Sequence, residues 1–308
     1  MPVVVVLCGF DWGFFAHEQI NKHAVFTLPP EMIVFYKANI QYLTEAAVNP
    51  DRRRYAVEGE APLHYVDLDR FEQMDSIPKY WEDAVAKYGE SFLLERGIVP
   101  WHITRMYFRL REAFLVNDPA RILRLSAELG HYVADAHVPL HTTSNYNGQL
   151  TGQDGLHAFW ETRLPELFFN DYKFWVGKAT HVKDVQGIAW NAVINAHHAV
   201  DSVLSLEKEL QKSSAKFSFE TRGKRTVKLE SRDYAGAYHR LLNGMVERQM
   251  QQSIKMIADL WYTAWVDAGQ PDLRRWLDYQ PSEEEIRERE DELKRWKEQR
   301  IQARPHDG

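Results

Sequence analysis

Apolar residues recur along most of the chain at helical spacing. Across residues 31–47 they fall at Ile33, Val34, Tyr36, Ile40, Leu43 and Ala47, close to the stripe of an amphipathic helix. A helix over 17–27 precedes it and is stopped by Pro29 and Pro30, and Asn49-Pro50-Asp51 breaks the second. Residues 61–67 read as a loop or short extended segment. Helices follow over 78–88, with Pro78 near the first turn, and over 101–116. Asn117-Asp118-Pro119 turns the chain and caps a helix over 120–136, whose packing residues are Ile122, Leu123, Leu125, Leu129 and Tyr132. Further helical patterns cover 155–167, 182–210 (one long or two short helices) and 235–268, the last rich in Met and Trp that read as core. The period changes once. Lys216 to Glu220 and Thr226 to Leu229 alternate about Arg222-Gly223, predicting a β-hairpin within 213–231. The expected fold is a mostly α, single multi-helix domain with that hairpin. Residues 281–308 read as a charged segment, either a solvated helix or a frayed, disordered tail.

With 308 residues, 44% hydrophobic and 27% charged, the chain has enough apolar content for a core. The net charge of −6 argues against coating nucleic acid by charge alone, though bound metal ions can hold phosphate within an acidic protein. Cys8 is the single cysteine, so no intrachain disulfide forms. The apolar run 3–10 is too short to span a membrane. It reads as a buried strand or as the end of a secretory signal over 1–11, which implies a secreted or periplasmic protein. The residue before Cys8 is not small, which argues against a lipoprotein anchor. No other stretch is apolar enough to span a bilayer.

The chemistry concentrates in residues 130–161. His131 and Asp135 are four apart, as are His157 and Glu161, so each pair shares one helix face. Imidazole and carboxylate together suit zinc and similar divalent ions. Pro139 ends the first helix and re-aims the chain toward His141, and a polar loop over 142–155 leads to the second pair. Single His–carboxylate pairs are usually surface hydrogen bonds; two pairs plus His141 within so short a stretch make a metal cradle a serious reading. His17 alone reads as a helix-start histidine, His23 faces elsewhere, and the adjacent His197 and His198 read as structural or surface. Arg52, Arg53 and Arg54 read as a solvated patch, with phosphate steering the lesser reading.

Several segments together resemble one superfamily, zinc-dependent phospholipase C and the fungal zinc-dependent single-strand nucleases. Trp12-Gly13-Phe14-Phe15-Ala16-His17 resembles the start of the mature nuclease, and Glu60 to Asp67 resembles a second ligand segment. Gly130 to His141 resembles the signature helix, and Gly155 to Glu161 the last ligand pair. The resemblance implies a mostly helical domain over 12–280 holding three zinc ions. Carried over, Asp51, His64, His131 and Asp135 hold the first zinc, and His141, His157 and Glu161 the second. Asp135, His17 and the free amine of Trp12 hold the third. It implies a zinc-bound hydroxide attacking phosphorus, with Asp51 and Asp135 as the catalytic carboxylates and Asp51 doubling as a general base.

Three features depart from the pattern. Eleven residues precede Trp12, so its amine exists only after cleavage. Glu161 resembles the phospholipases, whereas the Trp12–His17 spacing resembles the nucleases. The nucleases' disulfides cannot form, and no separate lipid-binding β-domain is apparent. The leading expectation is a phospholipase C-like hydrolase acting on a phosphodiester substrate, with no stable protein partner implied. The alternative is a single-strand endonuclease or 3'-nucleotidase, which needs a stacking aromatic such as Tyr65, Tyr146, Phe159 or Trp160. A third reading, from another class, is a non-catalytic metal-stabilised binding protein.

Overall fold

The computed structural model describes residues 14–222, 225–298 and 301. Trp12, the apolar run 3–10 with Cys8, the hairpin tip at Gly223 and the last residues of the tail lie outside the described residues.

The fold is mostly α. Helix α1 (Phe14–Val25) is followed by α2 (Pro30–Ala38), α3 (Ile40–Glu45) and the short α4 (Asn49–Arg53). Then come α5 (Trp81–Tyr88), α6 (Glu90–Arg96), α7 (Val99–Leu115) and α8 (Pro119–Asp135). The second half holds α9 (Leu156–Ala158), a π turn (Phe159–Arg163), α10 (Leu164–Phe168), α11 (Val185–His198) and α12 (Val200–Gln211). Strands β1 (Phe217–Arg222) and β2 (Arg225–Glu230) pair antiparallel, Phe217 opposite Glu230 and Phe219 opposite Lys228. Helices α13 (Arg232–Leu241), α14 (Met245–Asp267) and α15 (Glu283–Trp296) complete the chain.

Helix α8 runs through the middle, with α1, α3, α7 and α14 packed around it. Its start is an ordinary surface start, where the Asp118 carboxylate accepts from the Arg121 N–H at 3.0 Å. From Leu125 to Asp135 every residue is buried, so this stretch is a core helix rather than an amphipathic surface one. Burial on all sides is why its His131 and Asp135 lie out of contact with bulk water. At Gly130, α1 approaches so closely that an added Cβ would lie 1.9 Å from Asn21 Oδ1. Asn21 uses the space to donate to the Ala127 carbonyl at 3.0 Å. That close approach lays the His17 ring on His131, centroids 4.0 Å apart.

Several sequence expectations need correction. The stripe over 31–47 is two helices parted at Asn39, and Val34 is exposed. Asn49-Pro50-Asp51 does not merely end a helix; Pro50 sits in the first turn of α4, where a missing N–H costs nothing, and Asp51 is buried. The expected helix over 235–268 is α13 and α14, divided where Asn243 and Gly244 take left-handed backbone (φ 48° and 74°). The pattern over 155–167 is interrupted by the π turn, and α6 forms where the sequence pattern predicts no helix. The charged tail is helical over α15, and one side of it is bound. Ser282 and Glu285 form a capping box, Arg124 pairs with Glu292 at 3.3 Å, and Trp296 is buried. Among the described residues no helix is long and apolar enough to cross a membrane.

Candidate metal centre

Three groups of buried imidazole and carboxylate donors lie side by side. They are His17–Asp51–His131, His64–His131–Asp135 and His141–His157–Glu161, each with donor atoms within 4.8 Å of one another. His131 is common to the first two, so they form one cluster. Asp135 is its hub: Oδ2 lies 2.9 Å from His64 Nδ1 and 3.2 Å from His131 Nε2, and Oδ1 lies 3.3 Å from His17 Nε2. Asp51 Oδ1 faces His131 Nε2 at 3.5 Å and His64 Nδ1 at 3.6 Å. In the second cluster His157 Nε2 is 2.9 Å from Glu161 Oε1, and His141 Nε2 is 3.3 Å from Oε2. Asp135 Oδ1 and His141 Nδ1, 3.7 Å apart, bring the clusters together. Of the nine sequence candidates, the eight described ones converge here and Trp12 lies outside the described residues.

Each element delivers its donor for a local reason. The i,i+4 spacing of α8 sets His131 beside Asp135. Pro139 starts a short 3-10 turn, Pro139–Thr142, that swings His141 back under the end of α8. The π turn carries Glu161 one turn below His157, and such insertions occur often at functional sites. Three rings are oriented by main-chain carbonyls: the Nδ1–H of His131 donates to Ala47 at 2.9 Å, that of His141 to His64 at 2.7 Å, and that of His157 to Tyr146 at 2.9 Å. A carbonyl only accepts, so each of these Nδ1 atoms carries a proton, and it is Nε2 that faces inward toward the carboxylates.

Burial works against charge throughout this centre. Burial, and then the charge of His131, pushes His17 down. Burial also pushes His141 down to about 4, so its ring is neutral near pH 7. Asp51 and Asp135 resist burial because the imidazoles around them, His131 foremost, hold both carboxyls below the usual range. His131 is raised despite burial by Asp135 and Asp51.

Two features went unrecognised in the sequence. Glu60 forms an outer buttress: its Oε1 lies 3.5 Å from His64 Nε2 and accepts from the Tyr132 hydroxyl at 2.5 Å, while Oε2 takes Arg53 Nε at 2.8 Å. Glu60 and His64 are themselves four apart, the same spacing that flagged the other two pairs. The second is Arg54. The arginine run is not a solvated patch, because Arg53 bridges Glu60 and Glu128 and Arg54 is 3% exposed. Its Nε and Nη1 have no hydrogen-bond partner among the described residues, and its charge is felt at His141. Both arginines follow Asp51 around α4, whose buried side the sequence pattern concealed.

Other candidates stay outside. His23 packs between Phe169 and Phe174, and His197 donates to the Thr142 carbonyl at 2.9 Å. Phe159, Trp160 and Tyr65 are buried and cannot form an open stacking pocket. Tyr146 is half-buried beside His157, ring centroids 6.5 Å apart.

The donor chemistry fits divalent metal. In the second cluster, the Nε2 atoms of His141 and His157 face each other at 3.2 Å with both Nδ1 protons committed to carbonyls. Two inward lone pairs at that distance repel unless a cation lies between them. The His141 ring resists supplying one by protonation. A metal ion satisfies both nitrogens and Glu161 together. No protein-family model matches the chain, and no curated protein matches it.

Proposed function

We propose that the chain is a zinc-dependent hydrolase of phosphate diesters, phospholipase C-like. Arg54 carries the reading. Imidazoles and carboxylates alone would serve a structural metal equally well. A buried guanidinium whose charge is felt at His141, with two of its nitrogens unpartnered among the described residues, is costly unless an anion completes it. Guanidinium matches the oxygens of a phosphate diester in shape and charge.

His64, His131, Asp51 and Asp135 would hold metal in the first cluster, with His17 at its edge; His141, His157 and Glu161 would hold it in the second. Metal held there supplies Lewis acidity that lowers the pKa of water toward neutral. The protein's own groups do the rest. Arg54 binds and orients a non-bridging phosphate oxygen, the carbonyl-anchored rings keep their donor atoms fixed, and Asp51, held anionic, accepts a proton from the attacking water.

The test is Arg54→Ala with Arg54→Lys beside it, assayed on a phosphocholine lipid and on a water-soluble diester. Both variants should keep the wild-type metal content. Activity should fall by on the order of a hundredfold or more in the alanine variant and recover in part with lysine. Unchanged kinetics in a folded Arg54→Ala protein would refute the assignment. A nuclease reading is favoured by one observation, Tyr146 standing partly open beside His157. It requires chelator-sensitive cleavage of single-stranded DNA that weakens in Tyr146→Ala.

A further inference from the structure

We infer that the outward face of the β1–β2 hairpin docks the protein on an anionic lipid surface. The proposal deepens the phospholipase C-like reading and rests on it for its biological sense, but its test does not require turnover.

Alternation places Phe217, Phe219, Thr221, Thr226, Lys228 and Glu230 on one face of the ribbon, with Glu230 buried at its base and the others exposed. Phe219 is 76% exposed and Phe217 45%, and the Lys228 ammonium lies 4.3 Å from the Phe217 ring centroid. Scattered exposed aromatics need no explanation; two on one face of a two-stranded ribbon, joined to a lysine, form an apolar patch with a cationic edge. Residues 216–230 hold five basic against two acidic side chains, a surplus of three. The whole chain is at −6, so the remainder stands at −9 and, taken as a whole, is repelled by an anionic surface that attracts this segment.

The hairpin is tied to the segment that carries the second donor cluster. The Arg163 guanidinium donates to the Glu230 carbonyl at 3.1 and 3.3 Å and pairs with Glu220, and Lys216 reaches Glu207 at 3.0 Å. Arg163 lies on the same π turn as Glu161, two residues later. A surface held by Phe219 is therefore linked, through Arg163, to the turn that carries Glu161. A two-stranded ribbon by itself offers no groove to track a nucleic-acid strand. Rings flanked by lysine are the composition of side chains that enter the headgroup layer while their charges stay in water.

Co-sedimentation with vesicles tests this, using phosphatidylcholine alone and phosphatidylcholine mixed with phosphatidylserine. The full chain should bind the mixed vesicles, lose binding as salt rises, and bind phosphatidylcholine weakly. Phe219→Ser and Lys228→Glu should each lower partitioning by about tenfold, and Phe219→Tyr should retain most of it. All three should hydrolyse a water-soluble diester at the wild-type rate. Equal binding to both vesicle types, or wild-type binding by a folded Phe219→Ser protein, would overturn the proposal. So would Phe219-dependent binding of a single-stranded oligonucleotide, or Phe219-dependent self-association, in place of vesicle binding. Vesicle binding with no hydrolysis of any diester would sink the hydrolase reading and leave the docking face standing; hydrolysis of the soluble diester without vesicle binding would do the reverse.

Discussion

The two donor clusters reach similar geometry by opposite routes. His141, His157 and Glu161 come from one short stretch, folded by a 3-10 turn and a π turn, with the His157 ring fixed by the nearby Tyr146 carbonyl and the His141 ring by one long-range bond to the His64 carbonyl. The other cluster draws His17 from α1, Asp51 from α4, His64 from the turn before α5, and His131 and Asp135 from α8. It depends on tertiary packing and on side-chain buttresses such as Glu60 and Arg53. The local cluster should tolerate loosening of the core better than the long-range one. The joint between them, Asp135 near His141, should be the most sensitive point.

The largest effect is expected at that joint. Asp135→Ala should abolish hydrolysis, with a loss of about a thousandfold or more, and lower metal occupancy at once. His131→Ala should behave alike, because its Nε2 serves both groups of the first cluster. Near-normal rates in a folded Asp135→Ala protein would break the picture of a shared hub. Glu161→Ala should be narrower. Elemental analysis should show metal lost from one cluster only, with activity down by on the order of a hundredfold. Parallel loss from both clusters would mean that they do not assemble independently.

Removing metal altogether should lower the melting temperature by on the order of 10 °C, since ions bound only to the folded state stabilise it by roughly 4 kcal/mol at a thousandfold excess over Kd. An unchanged melting point after verified removal would contradict a stabilising role. The smallest effect is expected at the buttress. Glu60→Gln keeps the shape but weakens the hold on His64, and should reduce metal affinity at the first cluster by about tenfold. Affinity at the second should be untouched. An equal loss at both would show that Glu60 acts through general stability rather than through His64.

The difference between the clusters also explains what could be read early. The pairs His131–Asp135 and His157–Glu161 announced themselves because i,i+4 spacing is a local property. Glu60–His64 has the same spacing, but it sits on a 3-10 turn in a segment that reads as loop, and its role depends on Arg53 and Tyr132 arriving from elsewhere. Arg54 was harder still. Three consecutive arginines ordinarily point to solvent, and only tertiary packing buries this one, at the end of α4. The helical pattern over 235–268 runs past the break between α13 and α14 because Asn243 and Gly244 are its sole local signal, and apolar residues continue on both sides of them.

By itself the sequence determined the helical class, the hairpin over 213–231, the caps and proline turns, and the residue types that could ligate metal. These follow from periodicity, backbone sterics and side-chain chemistry, which act over a few residues. Only the tertiary structure decided that α1 lies close enough to α8 to stack His17 on His131, that Arg54 is buried without a full set of partners, and that Phe159 and Trp160 belong to the core. Those outcomes depend on which surfaces exclude water when distant segments meet, a collective property of packing that no single stretch encodes.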